Sequence, residues 1–505
     1  MTMALIPEVV GLCPIERRWP RSGELASPYG HRDRHNEEVR MFALGTEPTN
    51  RHLAALGFAT VLAQSVLLRE AMSALGGSEL AWGVVLFTWL AGMAAGAALT
   101  MRRGAPRWGL AMPVLSLVLA ALGVVLLRAA PALTGGAGGE AIGTAQAAWL
   151  WPLAVFPSAA AGGAGFTFLA ARTGVSNGGA MAYALEAAGG LLGGLLFTFV
   201  LAPYGTVLTL FLGAGLTLAA SFHTRRLWWA LVLTLLLATV ARPADALLAR
   251  WTWRWASRPG SLAAWAETRQ ERLELASGNP KALYANGRLV ASFPNPWATA
   301  PRAHLLMLLH PHPRRVLLIG GLADGSVLTF LEHPLERLDL VEDDPELPGL
   351  LVRWYGSPIR RALDDPRVHL RLQDPIRVIQ HGGPWDLIVL LDGDPASIRE
   401  NRTRTLELFT ACRRRLEPGG LVAVNIDVSD TYLSGVGGRL LAIEASTLRR
   451  AFGNVTALPG DHLTLVCGRD GPPDLDLAVL EHRWTALGLT DPVFSPALLP
   501  VLLDP

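Results

Sequence analysis

Lysine is almost missing from this chain. Lys281 is the only one among 44 basic residues, so arginine carries the positive charge, as a compositional bias of the genome would produce. Cysteine is scarce too. Cys13, Cys412 and Cys467 are scattered, which excludes a disulfide framework and gives no metal-ligand spacing. The net charge of +2 leaves no electrostatic footprint for a nucleic-acid partner. Residues 1–50 are polar and lack the apolar core of a secretion signal. They are expected to be disordered, with Met41 as an alternative start. Charge itself is missing from one long stretch: between Ala54 and Phe222 only ten residues are charged, and none is Lys or Asp.

What fills the chain instead is hydrophobic: 51% of the residues, in recurring runs. Those at 53–68, 80–100, 108–127, 147–171, 180–201 and 205–222 approach the ~20 residues needed to cross a bilayer. A seventh and shorter run, 227–241, reads as re-entrant or interfacial. The aromatic and basic stretch Leu247–Trp255 reads as an interfacial anchor. The expected organisation is a disordered segment (1–50), a transmembrane helical bundle of about seven spans (51–242), an interfacial linker (243–264) and a second domain (265–505). The lipid bilayer of the inner (plasma) membrane is then a partner of this multi-pass chain.

Arginines in short loops set the orientation. Arg102, Arg103, Arg107, Arg172, Arg225 and Arg226 mark alternate loops as cytoplasmic, and the N-terminus with them. Seven spans then put the second domain outside, away from any ligand made in the cell. The short seventh run relieves that conflict, and the second domain is expected in the cytoplasm. Glu186 stands inside the fifth run, where it would line a small-molecule path or fix the bundle by a hydrogen bond. Gly189, Gly190, Gly193 and Gly194 recur at helical spacing and permit close helix contact.

The second domain alternates strands with helices, which predicts an open α/β sheet with helices on both faces. Strands are expected at 315–319, 338–341, 368–372, 387–391, 421–426 and 463–467, and a helix at 404–416 ahead of a turn at 417–420. A hairpin precedes them: Ala282–Ala285 and Leu289–Phe293 flank Asn286-Gly287, a type I′ turn signal. The chemistry is expected at Val316–Asp344. There a strand meets Gly320 and Gly321, a helix follows, and a second strand ends in Glu342, Asp343 and Asp344. Glycine lets the backbone approach a nucleoside, and an acid about 20 residues on accepts hydrogen bonds from ribose hydroxyls. The glycines are not GxGxxG, so a nucleoside without a pyrophosphate fits best, such as an S-adenosyl compound.

These residues resemble the spermidine synthase (polyamine aminopropyltransferase) family, in its membrane-fused branch. The segments ALYANGRLV, VLLIGG, His333-Pro334, LVEDD, DPRVHLRLQD, WDLIVLLDGDP and LEPGG follow the family's motifs in order over about 265–470. The resemblance implies a Rossmann-like fold of the S-adenosylmethionine-dependent methyltransferase type. It also implies transfer of an aminopropyl group from decarboxylated S-adenosylmethionine to a small-molecule amine such as putrescine, with no permanently bound cofactor. By position, Gly320, Gly321 and Asp324 would pass under the donor, Glu342 would hold its ribose and Asp374 would meet the adenine amino group. Asp392 and Asp394 would carry the catalysis.

The departures are as informative. The family's GGGDG is GGLAD, with Ala323 at its acid position and Asp324 one residue late. The presumed base falls on Leu391 and a glutamine falls on Val290, while a substrate-holding Tyr-His-Glu triplet becomes His304-Leu305-Leu306. Two alternatives therefore stand beside the enzyme: a non-catalytic membrane sensor, scaffold or transporter-like protein, and a methyl transferase using S-adenosylmethionine. The sequence is also compatible with a homo-oligomer. His310 and His312 are expected in a polar turn, and His304 at a surface or interface.

Overall fold

The computed structural model describes residues 48–503 except 75–78, 104–108, 135–147, 174–177, 222–223, 257, 396, 429–434 and 461. Expectations for residues 1–47 and for Arg107 fall outside the described residues. Among the described residues, seven long helices make up the first half: α1 (Pro48–Ala74), α2 (Leu80–Arg103), α3 (Met112–Arg128), α4 (Leu150–Ala170), α5 (Gly178–Leu196), α6 (Thr206–Ser221) and α7 (Thr224–Trp255). Six helical stretches, at these positions except α6, are long and apolar enough to cross a membrane by length and composition.

Small residues let these helices touch at their backbones. A Cβ on Gly57 of α1 would lie 1.9 Å from the carbonyl oxygen of Glu186, and one on Gly189 of α5 would lie 1.9 Å from that of Ala54. Gly96 and Gly163 do the same for α2 and α4, at 2.0 Å from the Ala160 and Met93 carbonyl oxygens. The expected glycine row faces α1: Gly189 and Gly193 meet its backbone at Ala54 and Phe58, and Gly190 and Gly194 meet its Val61 side chain. Ser116 of α3 and Ser158 of α4 each donate to the other's carbonyl, at 3.0 and 2.8 Å. Glu186 is half-buried on α5.

Successive helices alternate in direction. The last turns of α1 and α3 and the start of α6 gather at one end of the bundle, around Glu70, Arg128 and Thr206. Arg102, Arg103 and Arg172 lie at the other end, where α2 and α4 finish. The run 227–241 is not a short separate piece but belongs to the amino-terminal half of α7. That helix has 32 residues and is about 48 Å long at 1.5 Å per residue. It also absorbs 243–255, the start of the expected linker. Pro243 does not stop it, and the shorter helix is α6.

Four antiparallel strands follow: β1 (Leu262–Glu267), β2 (Arg272–Ala276), β3 (Lys281–Ala285) and β4 (Arg288–Phe293). Asn286 (φ 49°) and Gly287 (φ 80°) form the expected two-residue turn between β3 and β4. The hairpin is therefore half of a larger sheet. β1 and β2 escape a reading by apolar alternation because β2 buries Arg272 and Glu274. These charges are stable inside because they pair with each other at 3.0 Å, and Arg272 also reaches Glu267 at 3.3 Å.

Next come α8 (Pro296–Leu309), β5 (Arg315–Gly320), α9 (Ser326–Glu332), β6 (Arg337–Glu342), α10 (Leu347–Tyr355), α11 (Ser357–Asp364) and β7 (Val368–Leu372). The chain continues through α12 (Pro375–His381), β8 (Trp385–Leu391), α13 (Leu406–Arg415), β9 (Leu416–Ile426), α14 (Gly435–Phe452), β10 (Thr456–Leu458), β11 (Leu463–Gly468) and α15 (Leu477–Leu487). The seven strands lie in the order β10-β11-β9-β8-β5-β6-β7, parallel from β9 to β7. Apolar clusters cover both faces. This is the expected Rossmann-like sheet. The expected turn at 417–420 instead lies within β9, where pairing to β8 jumps from Leu416 to Leu421. Since β5 continues to β6 on one side and pairs with β8 on the other, its carboxyl end is a switch point, where such sheets open a crevice.

Candidate active site

Beyond that switch point β5 ends in Gly320 (φ 75°) and Gly321 (φ 83°), both left-handed. A Cβ on Gly320 would stand 3.0 Å from the Leu391 carbonyl oxygen, so glycine is what lets β5 and β8 close here. Asp324 belongs to the loop rather than to open space. It accepts from the Ser326 amide (2.9 Å), the Ser326 hydroxyl (2.6 Å) and Arg302 (2.9 Å). Arg302 also donates to Asn425 at 3.2 Å, which ties α8 to β9 beneath the glycine turn.

Glu342 is the last residue of β6 and only 8% exposed. Burial, and then the acids Asp343, Asp324, Glu271 and Asp344, push its carboxyl up to about 8. Glu271 comes from the turn between β1 and β2. Burial first, then Asp344 and Asp343, push it up to about 7, against the pull of Arg399. Gln270 on the same turn donates to the Asp343 carbonyl at 2.8 Å, and Arg399 pairs with Asp343. The small sheet thus closes over the acid end of β6. Sequence reading missed Glu271, Gln270 and Arg399, which no spacing ties to the glycine motif.

Asp374 caps α12, accepting from the Ile376 amide at 2.9 Å, and pairs with Arg402 at 2.8 Å near the surface. Asp392 accepts from Thr403 (2.6 Å) and from Arg404 (3.0 Å). Arg404 is itself buried, and it also donates to the Gly393 and Asn425 carbonyls and reaches Glu444 at 3.4 Å. Burial pushes Glu444 up to about 7, with Arg404 lowering it and Asp394 and Asp392 raising it. Asp394 accepts from the Asp427 amide at 2.7 Å, and burial raises its carboxyl above the usual range. Of the expected residues, Gly320, Gly321, Asp392 and Asp394 share the β5–β8 tip, and Asp324 lies close enough to Glu342 to raise its carboxyl. Asp374 stands at the start of α12, engaged with Arg402.

A cavity of about 260 Å³ lies elsewhere, near the amino ends of β5, β6 and β8, lined by Arg315, Arg337, Asp339 and Trp385 among others. Arg337 and Trp385 are anchored on the buried Asp339 there. His310 and His312 form the expected polar turn, with the His312 amide donating to His310 Nδ1 at 3.2 Å. His304 is not at a surface: it is fully buried against His333, Trp484 and Phe494. The hydrogen bond from its Nδ1 side to His333 (2.8 Å) makes that burial tolerable.

Residues 302–429 match the spermine/spermidine synthase domain. The polyamine aminopropyltransferase of Nitrosomonas europaea is 32% identical over 201 residues, covering 38% of this chain and 60% of the relative. Polyamine aminopropyltransferase 2 of Hyperthermus butylicus is 30% identical over 184 residues, covering 35% and 57%. The chain thus spans little more than half the length of these curated relatives. The solved spermidine synthase from Thermotoga maritima is 16% identical, covers 48% of this chain and 84% of its own, and superposes with a TM-score of 0.41. This chain carries a spermidine synthase-like domain behind a bundle of long apolar helices.

Proposed function

We propose that the chain is a membrane-embedded aminopropyltransferase-like enzyme, taking its group from decarboxylated S-adenosylmethionine and delivering it to an amine. The observation that carries this reading is the acid cluster at the carboxyl end of β6: Asp343, Asp324, Glu271 and Asp344 lie close enough to Glu342 to raise its carboxyl, on the strand beside the two left-handed glycines. Both substrates are cations, one a sulfonium and one an amine. Burial first, and the four neighbouring acids after it, push Glu342 up to about 8, and a cationic ligand beside it would favour the ionised carboxylate.

In this reading the glycines pass beneath the donor, Glu342 takes its ribose hydroxyls and Asp374 the adenine amino group. Asp394 accepts the amine proton. The freed nitrogen lone pair attacks the carbon beside sulfur, the carbon–sulfur bond breaks, and its electron pair leaves on the thioether. Asp392, held by Arg404 and Thr403, orients the loop that carries Asp394. Asp324 does the same for the glycine turn.

One observation favours a second reading, in which the domain binds its nucleoside without turnover: the family's presumed base position is Leu391. Calorimetry on the full chain in detergent, with decarboxylated donor, S-adenosylmethionine and thioadenosine product, separates these. Binding of the decarboxylated donor and turnover with putrescine that Asp394→Asn removes is the expected result. Binding alone supports a sensor, methyl transfer supports the third class, and no binding at all defeats the crevice as a nucleoside site.

A further inference from the structure

Away from the crevice, three polar side chains from distant parts of the sequence converge. His304 lies on α8, Glu332 ends α9, and Asp491 lies beyond α15. His304 is fully buried, yet among the described residues its Nε2 has no hydrogen-bond partner within normal bonding distance. It faces two carboxylates: Asp491 Oδ2 at 3.6 Å and Glu332 Oε2 at 3.8 Å. All three candidate ligand atoms lie within 4.8 Å of one another. A direct imidazole–carboxylate hydrogen bond would draw one oxygen in to about 2.8 Å. Neither comes so close, and both point at the same nitrogen.

The surroundings orient each group for a shared centre. Asp491 Oδ1 accepts from the Val493 and Phe494 amides, both at 2.7 Å, which leaves Oδ2 turned toward His304. His304 Nδ1 lies 2.8 Å from His333 Nε2. With Nδ1–H as donor to His333, the Nε2 lone pair faces the carboxylates, which is the tautomer a metal ligand needs. The alternative tautomer, with Nε2–H as a long donor to Asp491, uses only one carboxylate. The rings of Trp484 and Phe494, with centroids 5.0 and 5.1 Å from that of His304, wall the inner side. The Glu332 side chain is 47% exposed and leaves a way in from solvent.

We propose that His304, Glu332 and Asp491 bind a divalent transition ion of the zinc type, with water completing the shell. A tetrahedral ion with bonds of about 2.0 Å sets its ligands roughly 3.3 Å apart. The two separations from His304 exceed this by a few tenths of an ångström, and the two carboxylate oxygens lie within 4.8 Å of each other. An imidazole nitrogen among the ligands favours such an ion over magnesium or calcium, which prefer all-oxygen shells. The ion would staple the segment after α15 to α8. Two residues earlier on α8, Arg302 holds Asp324 under the glycine turn.

The test uses the full chain in detergent after chelator treatment, titrated calorimetrically with zinc and, separately, magnesium. Cobalt provides an optical signature of tetrahedral geometry. The expected result is one zinc bound per chain, no comparable magnesium binding, and a zinc-dependent rise in melting temperature. Glu332→Gln and Asp491→Asn keep shape and hydrogen bonding. Each should weaken zinc by at least about tenfold, the low end of what loss of even an outer-shell partner costs, and suppress the melting shift. Failure of the wild-type chain to take up a stoichiometric ion overturns the proposal. So does zinc binding that both variants leave unchanged, since the ion would then sit elsewhere, and so does equal affinity for magnesium.

Discussion

At the scale of single residues, Glu342 joins stability to binding. Its folded-state proton is held to about 8, whereas the unfolded chain releases it near 4.5. Between those values the folded state binds the extra proton, so stability conferred at low pH is lost as pH rises from about 4.5 to about 8. Glu342→Gln removes this loss. Its melting temperature relative to wild type should therefore rise between pH 5 and pH 8.5, and no change in that difference would show that Glu342 is not the group responsible. A sulfonium donor favours the ionised carboxylate, so wild-type affinity should increase across the same window, with proton release on binding. The variant should bind about ten- to a hundredfold more weakly, the worth of a hydrogen bond to a charged group. The two neighbouring acids behave differently. Asp394→Asn should abolish turnover with little change in melting. Asp392→Asn should cost about 2 kcal/mol in chemical denaturation, because the buried Arg404 loses one anionic partner but keeps Glu444.

At the scale of elements, packing in the bundle is set by where a Cβ is forbidden. Gly57→Val forces a side chain where the Glu186 backbone already lies, and should cost about 3 kcal/mol in detergent unfolding. Gly83→Ala, with nothing within 4 Å, should be neutral. Equal effects would show that α1 and α5 do not meet there. The elements are also where sequence reading divided. Strands β5, β6 and β8 were legible because they are short, largely apolar runs, buried along most of their length and ended by glycine or acid. The hairpin was legible because Asn286-Gly287 admits two left-handed residues in a row. β2 was hidden because it buries Arg272 and Glu274, which pair with each other and with Glu267 and Arg258. α7 was cut short because Arg242, Pro243 and Asp245 look like an ending. Yet Asp245 is buried on Arg128, and proline near a helix is no stop when neighbours hold both sides. The His304, Glu332 and Asp491 cluster had no signal at all, since its members stand far apart in the chain.

At the scale of the whole molecule, the two halves meet through buried ions. Arg128 binds Glu70 at 2.6 Å, Asp245 at 2.9 Å and Glu267 at 3.3 Å, joining α1, α3, α7 and β1. Arg128→Met strands three acids and should cost roughly 3–5 kcal/mol in unfolding, with loss of the folded chain in detergent. The seven helices run alternately, so the synthase-like domain and Arg102, Arg103 and Arg172 lie at opposite ends of the bundle. If the arginine-bearing end is cytoplasmic, as the charge rule has it, a reporter fused after Pro505 should be active outside the cytoplasm. Activity of that reporter inside would favour the cytoplasmic placement expected from a ligand made in the cell.

The turn between β1 and β2 is held from both sides. Arg69 of α1 donates to the Thr268 carbonyl at 2.9 Å, and two residues later Gln270 grips the strand end that bears Glu342. Three residues of backbone, 268–270, are therefore the whole distance between the helical half and the acid rim. A tilt of the first helix has no slack to dissipate in: it arrives at the rim as a change in how tightly the crevice is shut.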